Sequence, residues 1–294
     1  MGALTRRLTV EAVWAYAEHS QIKGMQFAHK KFGPKLKLAR KQIACLSYLS
    51  MALWENSAER RLLPIDWLGS EGIPNADIAL AMIFCELANY CFAVIDLVSK
   101  GLTGPARCLV RSSGELSSIA IVLIGDRDAF REYVQEEEPE HAGAKWYKLF
   151  SEKKLARRME FIERTLGLPE RTIAYMREFR ASNSKFFSLA VHHSFHAVYA
   201  GATVDLPRGK IDLRMLGGPH QLSHHTLTYL LSSTQMCLMA FFKLAMDLDP
   251  AHPWALENPR LFMSAAKIYF EAQADFLKWL ESDGSPSRAS KNGK

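Results

Sequence analysis

Apolar residues recur three and four positions apart along most of this chain, the spacing of one buried face of a helix. Val10, Val13, Trp14 and Ala17 form such a stripe over residues 9–20, with Thr9 placed to cap it. Pro34 interrupts the pattern, and Leu36, Ile43, Leu46, Leu49 and Leu53 form a second stripe over 35–54. Pro64, Gly69, Gly72 and Pro74 then mark a loop. Beyond it, helices are predicted over 75–99, 105–124, 126–135, 143–166, 169–199, 219–248 and 258–282. One stretch departs from helical spacing. Val204, Leu206, Ile211 and Leu213 alternate around Pro207-Arg208-Gly209, which predicts a small surface β-hairpin near 203–217. The expected fold is therefore all-α, a multi-helix bundle in three parts. Residues 1–70 read as a basic N-terminal helical arm, 71–282 as the main bundle, and 283–294 as a polar disordered tail.

Composition narrows this only slightly. Apolar residues make up 48% of the chain and charged residues 23%, enough to bury a core and too apolar for general disorder. The five cysteines lie scattered in apolar helical stretches without a C-x-x-C pair, the pattern of reduced structural thiols in a cytoplasmic protein. Glu11, Glu18 and His19 interrupt the first 30 residues, so no signal-peptide core is expected. Segments 78–99 and 226–246 approach the apolarity of membrane spans. The first carries Glu86 and Asp96 and the second Lys243, so both read as core helices and no membrane partner is expected.

Charge is unevenly placed. The net +6 of the chain resides in residues 1–70, which hold 11 basic and 5 acidic side chains. Lys30, Lys31, Lys35, Lys37, Arg40 and Lys41 fall within twelve residues around Gly33-Pro34, at a predicted turn and the start of a helix. Such a patch fits RNA or another anionic partner. It also fits a solvated face neutralised by Glu55, Glu59 or the run Glu136–Glu138.

Two polar ridges cross otherwise apolar helices. On 105–124, Arg107, Arg111, Glu115 and Ser118 share a side, flanked by the small residues Ser113, Gly114 and Ser117. On 169–199, Arg180, Ser184, Ser188, His192 and His196 stand four apart. The ridges are expected to face one another. Six histidines fall within 192–225, and the i,i+4 pairs His192/His196 and His220/His224 could grip a divalent metal. No carboxylate is interleaved in either pair, and no cofactor is otherwise implied.

Arg111-x3-Glu115, the aromatics Phe130, Tyr133, Trp146, Tyr175 and Phe179, and Ser188-x3-His192 together resemble a bacterial all-helical family, domain of unknown function 5677. The resemblance covers roughly residues 75–200. It implies that Arg111, Glu115, Ser188 and His192 lie close together, with His193 an alternative to His192. Arg214-x5-His220 is similar to the Arg–His signature of the HEPN (higher eukaryote and prokaryote nucleotide-binding) group, many of whose members are metal-independent RNases.

Two functions follow. An RNase-like or nucleotide-acting enzyme of a toxin or phage-defence system would use Arg111 on phosphate, His192 or His193 as general acid/base and Glu115 to orient a partner, with the Ser188 hydroxyl in reach of His192. The alternative is a non-catalytic helical interaction or sensor module, whose Arg111–Glu115–Ser188–His192 network is structural.

Overall fold

The computed structural model describes residues 9–55, 76–134, 141–192, 203–206, 210–213, 216–218, 220, 222–247 and 259–283. These form an all-α multi-helix bundle carrying one small β-ribbon. The helices are α1 (Val10–Glu55), α2 (Ala76–Lys100), α3 (Thr103–Gly125), α4 (Arg127–Val134), α5 (Ala142–Phe150), α6 (Glu152–Thr165), α7 (Glu170–Val191), α8 (Ser223–Asp247) and α9 (Pro259–Asp283). The predicted hairpin is present as strands β1 (Thr203–Leu206) and β2 (Lys210–Leu213), antiparallel with Thr203 opposite Leu213 and Leu206 opposite Lys210.

Besides the end of the helix predicted over 169–199, which falls at Val191, three predicted boundaries move. The turn expected at Gly33-Pro34 is absent: α1 runs through Pro34 as a single helix of 46 residues. Proline deletes the hydrogen bond to the carbonyl of residue 30 and costs roughly 3 kcal/mol in a helix interior. Phe32 and Leu36 on either side of it are buried, and each such side chain returns about 1.5–3 kcal/mol. Packing therefore carries the helix across the proline. The single helix predicted over 143–166 is two, because Ser151 adopts an extended conformation (φ −53°, ψ 146°) between α5 and α6. The helix predicted from Pro219 begins only at Ser223. Elsewhere the expected signals hold, and the Thr9 hydroxyl accepts from the Ala12 amide at 3.2 Å as an N-cap.

α1 packs along α2, α8 and α9, while α3 packs against α2, α7, α8 and α6. Val10–Glu55 thus shares one core with the rest of the bundle, with Leu46, Leu49, Leu53, Leu80, Phe84, Leu87 and Phe241 all fully buried. A glutamine ladder crosses this core. Gln42 on α1 donates to Gln235 on α8 at 2.9 Å, and Gln235 donates to Gln273 on α9 at 2.8 Å. The close approach of Gly101 and Gly218 closes one end: a β-carbon on Gly101 would lie 1.6 Å from the Gly218 carbonyl oxygen. Both glycines also hold positive φ.

α2 and α3 are long and apolar enough to cross a membrane by composition, and about half of each apolar window is buried inside the bundle. Cys45, Cys91 and Cys237 are buried, as a core-like set should be, but Cys85 is exposed and Cys108 half-buried. The predicted loop at 64–74, the acidic run Glu136–Glu140 and the tail beyond Asp283 lie outside the described residues.

Candidate functional site

The two predicted ridges meet where α3 packs against α7. One turn of helix brings Glu115 under Arg111, whose Nε donates to Glu115 Oε1 at 2.9 Å. From the same guanidinium, Nη1 donates across the helix contact to Ser188 Oγ at 3.2 Å. The geometry thus joins Arg111, Glu115 and Ser188. Arg111 and Glu115 side chains are 27% and 44% exposed, so this is a surface clamp, not a buried ion pair. Ser118 turns its hydroxyl back onto the Gly114 carbonyl and takes no part.

His192 does not complete the set. It is the C-cap of α7, where its backbone amide donates to the Ser188 carbonyl at 3.0 Å. The residue is exposed, and its imidazole makes no hydrogen bond among the described residues. α7 ends at Val191, a full turn and more before the predicted limit, so the ridge that would carry His192 over α3 stops short. His193 and His196 lie outside the described residues.

The remaining ridge residues diverge. Arg180 forks onto Glu163 of α6, with Nη1 and Nη2 each bonded to one carboxylate oxygen, the second at 3.2 Å. Glu163 is fully buried. Between these two ion pairs stands Tyr229 of α8, packed against Phe179 and Phe187 with ring centroids 5.8 and 5.1 Å away. Burial and the Glu115 charge push its phenol up to about 12, so it remains a neutral hydroxyl across the physiological range. Gly114 makes room for it, since a β-carbon there would lie 2.3 Å from the Tyr229 hydroxyl. Ser117, Ser118, Arg180 and Tyr229 line a cavity of about 20 Å³ beside this hydroxyl, the size of a single water.

Arg107 is the outlier. It is 2% exposed, and its guanidinium lies over the Phe186 ring at 4.4 Å while Nη2 reaches the Phe186 carbonyl at 3.4 Å. Its Nε and Nη1 have no hydrogen-bond partner among the described residues. Burial accordingly pushes its pKa down.

The predicted metal candidates go separate ways. His220 is buried, and its Nδ1 accepts from the Leu222 amide at 3.0 Å just before α8 begins. The Nε2 of His224 faces the Lys35 ammonium at 2.8 Å. Because an ammonium can only donate, His224 is neutral at that nitrogen and its lone pair is occupied. Among the described residues no three His, Cys, Asp or Glu side chains gather as a metal site. Arg214, partner of His220 in the Arg–His spacing, lies outside the described residues.

The predicted nucleic-acid residues also separate. Lys30, Lys31, Lys37 and Arg40 are exposed. Lys35 is not a surface cation: it is buried, bonded to His224 and to Thr228 Oγ1 at 3.3 Å, and lies 5.1 Å from the Trp279 ring centre. Lys41 pairs with Asp275 at 2.8 Å and Glu271 at 3.3 Å on α9. These two α9 carboxylates, and not the acids named as candidates from the sequence, answer Lys41. Because α1 is continuous, the six cations lie in mid-helix and spread around it, with Lys30, Lys37 and Lys41 on one side. None of them stands at a helix start.

Tyr229 and Glu163 escaped sequence reading. The pairs Glu160/Glu163 and Arg177/Arg180, each three apart on adjacent helices, are the signal that could have found Glu163, since Arg177 also bonds Glu160 at 3.4 Å. Tyr229 had no charged neighbour in sequence to mark it.

No family model matches the chain, and neither a curated protein nor a solved structure shows significant similarity to it.

Proposed function

We propose that this chain is a non-catalytic helical interaction module in which the Arg111–Glu115–Ser188 network clamps α3 to α7. One observation carries this reading: the Arg111 guanidinium is engaged by Glu115 and Ser188, while the exposed His192 imidazole makes no hydrogen bond to them. A general acid or base works within hydrogen-bond reach of the proton it moves. A guanidinium already bonded to a carboxylate and a hydroxyl has less to offer a phosphate.

A second reading is the RNase-like enzyme suggested by the likeness to domain of unknown function 5677 and the HEPN group. Arg107 favours it, as a cation one turn from Arg111 with two unbonded nitrogens. A phosphoryl oxygen is a natural acceptor for such donors. RNA partnership through the exposed Lys30, Lys31, Lys37 and Arg40 belongs to either reading.

Purified protein incubated with RNA, beside Arg111→Ala and His192→Ala variants, separates the two. A module gives the same background in all three proteins, a lower melting temperature for Arg111→Ala and an unchanged one for His192→Ala. Cleavage by the wild type that either variant abolishes establishes the enzyme instead.

A further inference from the structure

We propose that a cavity between α1 and α9 binds a small phosphorylated ligand, with the phosphate held by Lys37 and Lys278 and a planar group laid against Trp279. The cavity has a volume of about 480 Å³, within the range of small-molecule sites. Gly33, Pro34 and Lys37 of α1 and Asp275, Lys278 and Trp279 of α9 line it.

Charge selects the ligand. Four lysines, Lys35, Lys37, Lys41 and Lys278, surround two carboxylates, Glu271 and Asp275. Lys41 bonds both acids, and its hydrogen bond holds the Asp275 carboxyl below its usual range, so that acid stays ionised and committed. Lys278 and Lys37 lie near enough to lower Asp275 further by their charge alone. Lys37 and Lys278 have no carboxylate bonded to them among the described residues, and their two charges match a phosphate monoester dianion.

Shape argues for a small ligand over a polymer. The site is concave and closed on two sides by helices, and an indole offers an aromatic wall beside the cations. Lys35 already lies over part of that indole, so its ammonium fixes the ring and adds positive potential from the cavity floor.

Gly33 supplies a test that touches no charge. A β-carbon there meets nothing within 4 Å, so a larger side chain enters open space at the cavity wall. Residue 33 precedes Pro34, where a side chain opposes the helical conformation, so retention of the fold is read from the variant's melting curve. The full chain is titrated at low salt with AMP, inorganic phosphate and adenosine in a calorimeter. Three proteins are compared: wild type, the Lys37→Ala/Lys278→Ala double variant and Gly33→Phe, each checked by its melting curve. The expected result is saturable AMP binding to the wild type, weaker phosphate binding, and no adenosine binding. Each variant should weaken AMP by roughly tenfold or more. Absence of saturable AMP binding to the wild type overturns the proposal, as does AMP binding unchanged in both variants. Phosphate binding as tight as AMP removes the role given to Trp279. If a single-stranded RNA binds wild type and Gly33→Phe equally while AMP does not bind, the exposed lysines serve a polymer and the cavity is not the site.

Discussion

The crevice between α3, α6 and α7 and the face between α1 and α9 treat charge in opposite ways. In the crevice nearly every cation is matched one to one: Arg111 by Glu115, Arg180 by Glu163. On the α1/α9 face, lysines outnumber the carboxylates that answer them. The first arrangement locks helices together; the second leaves a field for something outside the chain. Charge density along the sequence does not separate these cases. What separates them is whether the neighbouring helix presents an acid at the right height.

The largest effect should come from the crevice. Arg180→Met strands the buried Glu163 carboxylate and should cost about 3–5 kcal/mol in urea unfolding. Adding Glu163→Leu should recover most of that loss, because replacing a buried pair with apolar groups is often neutral or stabilising. A single variant that unfolds no more easily than wild type would break the claim that the crevice pairs are structural.

Tyr229 sharpens the same region by pH. Its phenol is raised to about 12 against an ordinary value of 10, so the folded state holds the proton more tightly. The associated stability is fully present below pH 10 and is lost as pH rises through about 12. A shift of that size corresponds to roughly 3 kcal/mol. Tyr229→Phe should flatten the alkaline limb of the stability profile; an unchanged limb would move the titration to other groups such as Tyr269, whose phenol is raised to about 12 as well.

Arg107 is the crevice's exception and provides the sharpest contrast within it. A buried cation with two unbonded nitrogens is a cost, so Arg107→Leu should raise the unfolding free energy by about 1 kcal/mol. A clear loss of stability would mean that an anion from solution occupies those nitrogens, and phosphate in the buffer should then stabilise only the wild type.

How much of this was legible beforehand depends on the range of each interaction. Arg111, Glu115 and Ser188 could be joined from sequence because helical spacing fixes the first pair and a ridge of four-residue steps points Ser188 outward. His192 was misplaced because helix ends are set by local capping and by the chain beyond, not by periodicity. Pro34 misled for a related reason: the local rule gives a break, and the burial of Phe32 and Leu36 overrides it. Lys35 and Lys41 look alike in sequence. Their fates differ because one faces His224 and Trp279 and the other faces an acidic stretch of α9 more than 200 residues away. Long-range pairing of that kind has no signature along the chain.

The smallest effect belongs to the basic face. Asp275 is lowered mainly by its hydrogen bond from Lys41, so its contribution is present above the ordinary carboxylate range and is lost as pH falls through its folded pKa. The pair is partly exposed, and Asp275→Asn should change stability at neutral pH by at most about 1 kcal/mol. Melting temperatures followed from neutral to acid pH should show the variant's acid limb shallower than that of wild type. A larger loss, comparable to that of Arg180→Met, would erase the contrast between the two regions.

The most direct measurement is a double-mutant cycle between Arg111→Met and Ser188→Ala, with RNA cleavage assayed on the same four proteins. A clamp predicts that the two substitutions couple by roughly 0.5–1.5 kcal/mol in unfolding free energy, with cleavage at background throughout. Additive stabilities, together with a cleavage activity in wild type that either substitution abolishes, would contradict it.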